Sequence, residues 1–136
     1  MLINNVSMYQ TSPQMPLFAS VSDEKAKDGI SAVDEIKDAL EADLSPNHPL
    51  IAVAKCESQY RQFDKDGNVL RGIVNSKDVG VFQINEYYHE DAAAEMGLDI
   101  HTLEGNIEYA EHLYETQGLQ PWSASQGCWS KNLPIS

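Results

Sequence analysis

Apolar residues recur at spacings of three and four through Ala26, Ile30, Val33, Ile36, Leu40 and Leu44. That is the spacing of one stripe on an amphipathic helix. Ser22 suits the N-cap, and Asp23 and Glu24 suit the positive end of the first turn. We expect residues 22–46 to be a helical element packed on the outside of a domain. The alternative is a helix that offers its stripe to a protein partner, although the stripe runs for under four heptads. Residues 1–21 show neither helical nor strand periodicity and are expected to form an extended or poorly ordered arm.

The segment Ser45-Pro46-Asn47-His48-Pro49 breaks the pattern. Pro49 fits a first helical position after Asn47 or His48, and predicts a helix to about Gln59. Leu50 to Ala54 are apolar on every side of that helix, so it must be buried. Asp66-Gly67, between Phe63 and Val69-Leu70, predicts a hairpin. Strands are expected near Gln62–Asp64, Val69–Ile73 and Gly80–Gln83, as one small antiparallel sheet. Asn85 then caps a helix through Met96 that Gly97 closes. A turn at Ile100–Leu103 leads to a helix over Asn106–Gln117, closed by Gly118. Pro121 to Trp129 form a loop and a short helix, and residues 131–136 a tail. The predicted class is α+β, mostly helical, with the main domain over 47–130.

Composition changes this picture little. Hydrophobic residues make up 42% of the 136-residue chain and charged residues 22%, an ordinary globular balance. A net charge of -12 argues against electrostatic binding to nucleic acid and to anionic membranes. The acidity is spread along the chain and reads as solubility. No apolar run approaches the roughly 18 residues of a transmembrane helix. The first twenty residues lack the basic and compact apolar regions of a signal peptide. They would suit an exported protein whose signal has been removed and replaced by Met1. Cys56 and Cys128 form neither a zinc pattern nor a Cys-x-x-Cys motif, and their number alone leaves pairing open.

The chemistry-bearing residue is Glu57, at the end of the buried helix. Burial disfavours the carboxylate and raises its pKa, which suits a general acid working near neutrality. The sheet would form the opposite wall of a cleft. Asp64-Lys65-Asp66-Gly67-Asn68 invites a calcium loop, but the sixth and twelfth positions are Val69 and Asn75 instead of Gly and Glu. It reads as a hairpin turn, and no metal or cofactor is expected. His89 has no second ligand at helical spacing, and His48, His101 and His112 are scattered.

Glu57-Ser58, Gly80-Val81-Phe82-Gln83-Ile84, Asn106-Ile107 and Pro121-Trp122-Ser123-Ala124-Ser125 resemble, in order, the motifs of soluble lytic transglycosylases and the wider lysozyme-like superfamily. Cys56-Glu57-Ser58 with the late Cys128 is also similar to resuscitation-promoting-factor domains. The resemblance covers Leu50 to Trp129. It departs where Ala110 and Leu113 replace a family Gly and Tyr, and where Trp122 to Ser125 replace a Tyr-Asn-Ala-Gly segment.

The resemblance implies a lysozyme-like fold and a substrate, the β-1,4 bond between N-acetylmuramic acid and N-acetylglucosamine in peptidoglycan. It implies that Glu57 protonates the glycosidic oxygen and then, as a base, closes a 1,6-anhydro ring on the muramic C6 hydroxyl. Gln83 would hold substrate or orient the acid, and Ser58 would support Glu57. The sugar-contacting aromatic would be Trp122, with Tyr109 and Tyr114 as alternatives; each also suits a core position. A hydrolase would need a second group, often a carboxylate, for which Asp78 is the first candidate and Asp64 the next. Asp78 otherwise caps the turn at Asn75-Ser76-Lys77. The resemblance further implies a Cys56–Cys128 disulfide, and with it an extracytoplasmic setting. A monomeric lytic transglycosylase is the expected function. A lysozyme-type muramidase and a non-catalytic glycan-binding or assembly module are the alternatives.

Overall fold

The computed structural model describes residues 29–134. The expected arm over 1–21 and the expected helix start at Ser22 lie outside them. Helix α1 spans Gly29–Leu44. Its stripe packs inward as expected, with Ile36, Leu40 and Leu44 buried and Ala32 and Ala39 filling the spaces beside them. Helix α2, Pro49–Ser58, starts on His48, whose Nδ1 accepts the Leu50 N–H at 3.0 Å. Leu50 to Ala54 are all buried, so α2 is the hub of the core. Two consecutive left-handed residues, Gln59 and Tyr60, end it (φ 56° and 63°).

The sheet is smaller than expected. It has two strands of two residues, β1 (Asp78–Val79) and β2 (Ile84–Asn85), antiparallel with Asp78 opposite Asn85. The predicted strands at Gln62–Asp64 and Val69–Ile73 reduce to isolated bridges, Phe63 with Val69 and Arg71 with Val79. Gly80–Gln83 is the turn joining β1 to β2, not a strand. A strand would send Val81 and Phe82 to opposite faces, yet both are fully buried. The turn dives into the core because two buried side-chain amides take the place of ladder partners. Gln62 Oε1 accepts the Val81 N–H at 2.9 Å, and Asn106 Oδ1 accepts the Phe82 N–H at 2.9 Å. Asn106 also donates to the Val79 and Ile100 carbonyls, at 3.0 and 2.7 Å. Gly80 threads between these amides at φ 78°, where a Cβ would lie 2.4 Å from Asn106 Nδ2.

Helix α3 (Glu86–Glu95) is capped by Asn85, as predicted. Helix α4 spans Leu103–Gln117, starting three residues before the predicted Asn106. Thr102 Oγ1 caps it by accepting the Gly105 N–H at 3.0 Å, which frees Asn106 to face the turn. A 3-10 segment at Gln120–Ser125, the short helix α5 (Gln126–Trp129) and a 3-10 turn at Ser130–Asn132 follow. The last of these contains the start of the segment read as a tail. The described fold is α+β and mostly helical, as expected. Helix α2 packs against α1, α5 and the 3-10 segment at Gln120–Ser125, and β2 packs against α3.

Candidate active site

Glu57 sits in the last turn of α2, where the apolar run gives way to polar residues. Its side chain is part-buried, and Ser125 Oγ donates to its Oε2 at 2.6 Å. Burial raises the Glu57 pKa above the ordinary carboxylate value, and the charge of Asp78 pushes the same way. The Ser125 hydrogen bond opposes both by favouring the ionised form. The carboxyl group is thus poised to hold a proton and has one defined partner.

Cys56, the residue before Glu57, is bonded to Cys128 with the two Cα atoms 6.0 Å apart. This staple joins the end of α2 to α5 and sets the segment bearing Ser125 against Glu57. Asn132 reinforces it, accepting from Lys55 Nζ at 3.1 Å and donating to the Cys128 carbonyl at 2.9 Å. Ser58 is 2% exposed. Its hydroxyl donates to the Ala54 carbonyl and accepts the Arg61 N–H, at 3.2 and 3.1 Å. It therefore supports the turn after Glu57 and does not line an open surface.

Asp78 lies on β1, close enough to Glu57 for its charge to be felt there. Its Oδ1 accepts from Asn85 Nδ2 at 3.0 Å, while Asn85 Oδ1 caps α3 through the Tyr88 N–H. The turn at Asn75 is closed by Asn75 Oδ1, which accepts the Lys77 N–H at 3.0 Å, and by the Asp78 N–H, which donates to the Asn75 carbonyl at 3.1 Å; the backbone of Asp78 closes it, and its carboxylate takes no part. Gln83 sits at the end of the Gly80 turn at φ 50° and donates to the Gly80 carbonyl at 3.0 Å. It is part-buried, with its Oε1 directed toward Gly72. Asp64 Oδ1 accepts two N–H groups of its own turn, from Asp66 and Asn68, which accounts for that carboxylate. Among the described residues no group of three or more His, Cys, Asp or Glu could hold a metal ion.

An ionic network anchors this wall. Arg71 and His101 both pair with Glu86, at 2.8 and 2.7 Å, and His101 also pairs with Asp99 at 2.9 Å. Hydrogen bonds from Arg71 and His101 hold the Glu86 pKa down to about 2. The hydrogen bonds to Glu86 and, less strongly, to Asp99 raise that of His101. The loop bearing Arg71, the start of α3 and the approach to α4 are thereby locked together.

Of the three aromatics assigned by resemblance, Trp122 and Tyr109 are buried and Tyr114 is part-buried against the core. Trp122 is 4% exposed, and its Nε1 donates to the Phe82 carbonyl at 2.9 Å. Tyr109 is buried, with its hydroxyl paired to His89 Nδ1 at 3.0 Å. Tyr114 stacks at a tilt on His48, ring centroids 4.8 Å apart, near the start of α2. Among the described residues the exposed aromatics are instead Tyr87 and Tyr88, in the first turn of α3, with rings edge to face at 5.0 Å. They come two and three residues after Asn85, the residue that donates to Asp78. Sequence reasoning passed over them, and it gave no role of their own to Gln62 or to Asn106 and Ser125, which it quoted only within motifs. The Cys128 pairing carried a signal for Ser125, because it brings the residues before Cys128 to Glu57.

Compared with known proteins, the chain matches no family model, no curated protein and no solved structure.

Proposed function

We propose that this protein is an enzyme that cleaves peptidoglycan glycan strands at the β-1,4 bond between N-acetylmuramic acid and N-acetylglucosamine. Glu57 is its acid. The observation that carries this reading is a part-buried carboxyl with a raised pKa, held by Ser125 at 2.6 Å at the end of a buried helix. Such a group is protonated over more of the neutral range than a free glutamate and can donate to a glycosidic oxygen as the C–O bond breaks. Gln83 and Asn85 offer polar contacts to a sugar chain on the facing wall, and the exposed Tyr87 and Tyr88 rings offer flat apolar surfaces. The order of motifs favours completion as a lytic transglycosylase. Glu57, deprotonated by the first step, takes the proton of the muramic C6 hydroxyl, whose oxygen bonds to C1 and closes the 1,6-anhydro ring.

A second reading has one specific observation behind it. Asp78 acts electrostatically on Glu57 and is fixed by Asn85. A carboxylate so placed can stabilise positive charge at C1 or support attack by water, giving a muramidase. Mass analysis of material released from purified cell walls tests both. Anhydromuramic ends support the transglycosylase, reducing muramic ends support the muramidase, and release of neither overturns the enzymatic reading in favour of a glycan-binding module. The disulfide supports an extracytoplasmic setting. No helix among the described residues is long and apolar enough to cross a membrane.

A further inference from the structure

Beside the proposed cleft stands a pair of apolar side chains that nothing in the described fold covers. Ile73 and Val74 are 103% and 102% exposed, the two most exposed large hydrophobic residues of the described chain. Single exposed apolar residues are ordinary, but two adjacent β-branched residues at full exposure leave an apolar tip in water.

The tip is built, not slack. Gly72 N–H donates to the Asp78 carbonyl at 2.9 Å, and Asp78 N–H donates to the Asn75 carbonyl at 3.1 Å. Arg71 Nη1 donates to the Ser76 carbonyl at 2.9 Å and is itself fixed by Glu86. Gly72 is packed so closely that a Cβ there would lie 2.5 Å from the Asn75 carbonyl oxygen and 3.0 Å from Gln83 Oε1. The tip therefore shares its base with Asp78 and Gln83, and it is continuous with the wall that faces Glu57. Lys77, exposed on the same turn, adds a cation to this edge of a chain whose net charge is -12.

An apolar tip with an adjacent cation does not suit bare glycan, whose peptide-free muramyl unit offers the cation a lactyl carboxylate but offers the tip no apolar side chain. It suits the short peptide that substitutes the muramic lactyl group, with its alanyl methyls and free carboxylates. We propose that Ile73, Val74 and Lys77 form a subsite for the peptide stem of peptidoglycan and make the enzyme select stem-bearing over stem-free strands. This rests on the peptidoglycan-cleaving reading above.

Methyl NMR of the full-length protein tests it without requiring turnover. The protein is titrated with N-acetylglucosaminyl-N-acetylmuramyl tetrapeptide and, separately, with the same disaccharide lacking peptide. The Ile73 and Val74 methyl signals should move with the first ligand and not with the second. The Ile73→Ser/Val74→Ser double variant should weaken binding of the peptide-bearing ligand by about tenfold, the factor expected when about two methylene equivalents no longer leave water. Lys77→Ala should weaken the same ligand. Equal responses to the two ligands, or no response at the tip, would overturn the subsite whether or not the protein cleaves glycan. Conversely, a Glu57→Gln protein that releases cell-wall fragments at the wild-type rate would overturn the cleavage mechanism while leaving a positive titration standing.

Discussion

Replacing both cysteines, as Cys56→Ser/Cys128→Ser, removes a link between residues 72 positions apart. In the chain-entropy account, opening a loop of that length gives the unfolded chain freedom worth about 4 kcal/mol. For a domain of about 100 residues, each kcal/mol moves the melting temperature by roughly 4–8 °C. The variant should therefore melt about 20 °C lower than the oxidised wild type. The staple also holds α5 against the end of α2, where Ser125 reaches Glu57. Cell-wall cleavage should accordingly fall in the variant even well below its melting temperature. Thermal unfolding followed by circular dichroism measures the first effect, and fragment release at low temperature the second. Two titratable thiols per chain in the non-reduced wild type would refute the reasoning. So would a melting temperature within about 5 °C of wild type, since that is little more than the roughly 4–8 °C belonging to a single kcal/mol.

Ser125→Ala removes the hydrogen bond that favours ionised Glu57. The alkaline limb of kcat/KM, where the acid loses its proton, should move to higher pH; movement to lower pH would contradict the assignment. Gly80→Ala adds a Cβ 2.4 Å from Asn106 Nδ2 at a φ of 78°. Denaturant unfolding should show a loss of about 1–3 kcal/mol from backbone strain, or more where the packing also gives way. Glu111, pushed up to about 7 by burial and by Asp43, Glu108 and Glu115, gives a pH-dependent test. The folded state holds its proton where the unfolded chain has lost it, so Glu111 lowers stability as pH rises from its ordinary 4.5 toward about 7. Glu111→Gln should therefore raise the melting temperature at pH 7.5 and change it little at pH 4.5, and an equal gain at both would refute the cause.

The helices were legible because their signals are local. Pro49 after His48, the apolar run Leu50–Ala54, Asn85 before Glu86 and Gly118 after Gln117 each fix an end or a face within a few residues. Glu57 was legible for the same reason, as a carboxylate closing a run too apolar to be exposed. The Gly80–Gln83 turn was not. Its partners, Gln62 and Asn106, lie 19 and 24 residues away from the N–H groups they receive, and no local pattern announces a side chain that replaces a strand. Ser125 reaches Glu57 across 68 residues, visible only once the disulfide is drawn. The aromatics were left between two roles because a ring reads alike in a core and on a cleft wall. Trp122 has its N–H satisfied by the Phe82 carbonyl inside the fold, whereas Tyr87 and Tyr88 lay hidden in what read only as the start of a helix.

The most direct measurement compares the rate at which wild type and Glu57→Gln release soluble fragments from purified peptidoglycan. The substitution keeps the side chain's size and a hydrogen-bond acceptor for Ser125 while removing the transferable proton. With Glu57 as the acid, release should fall by about 10²–10⁴-fold with the melting temperature nearly unchanged. Release by the variant at the wild-type rate would contradict the account.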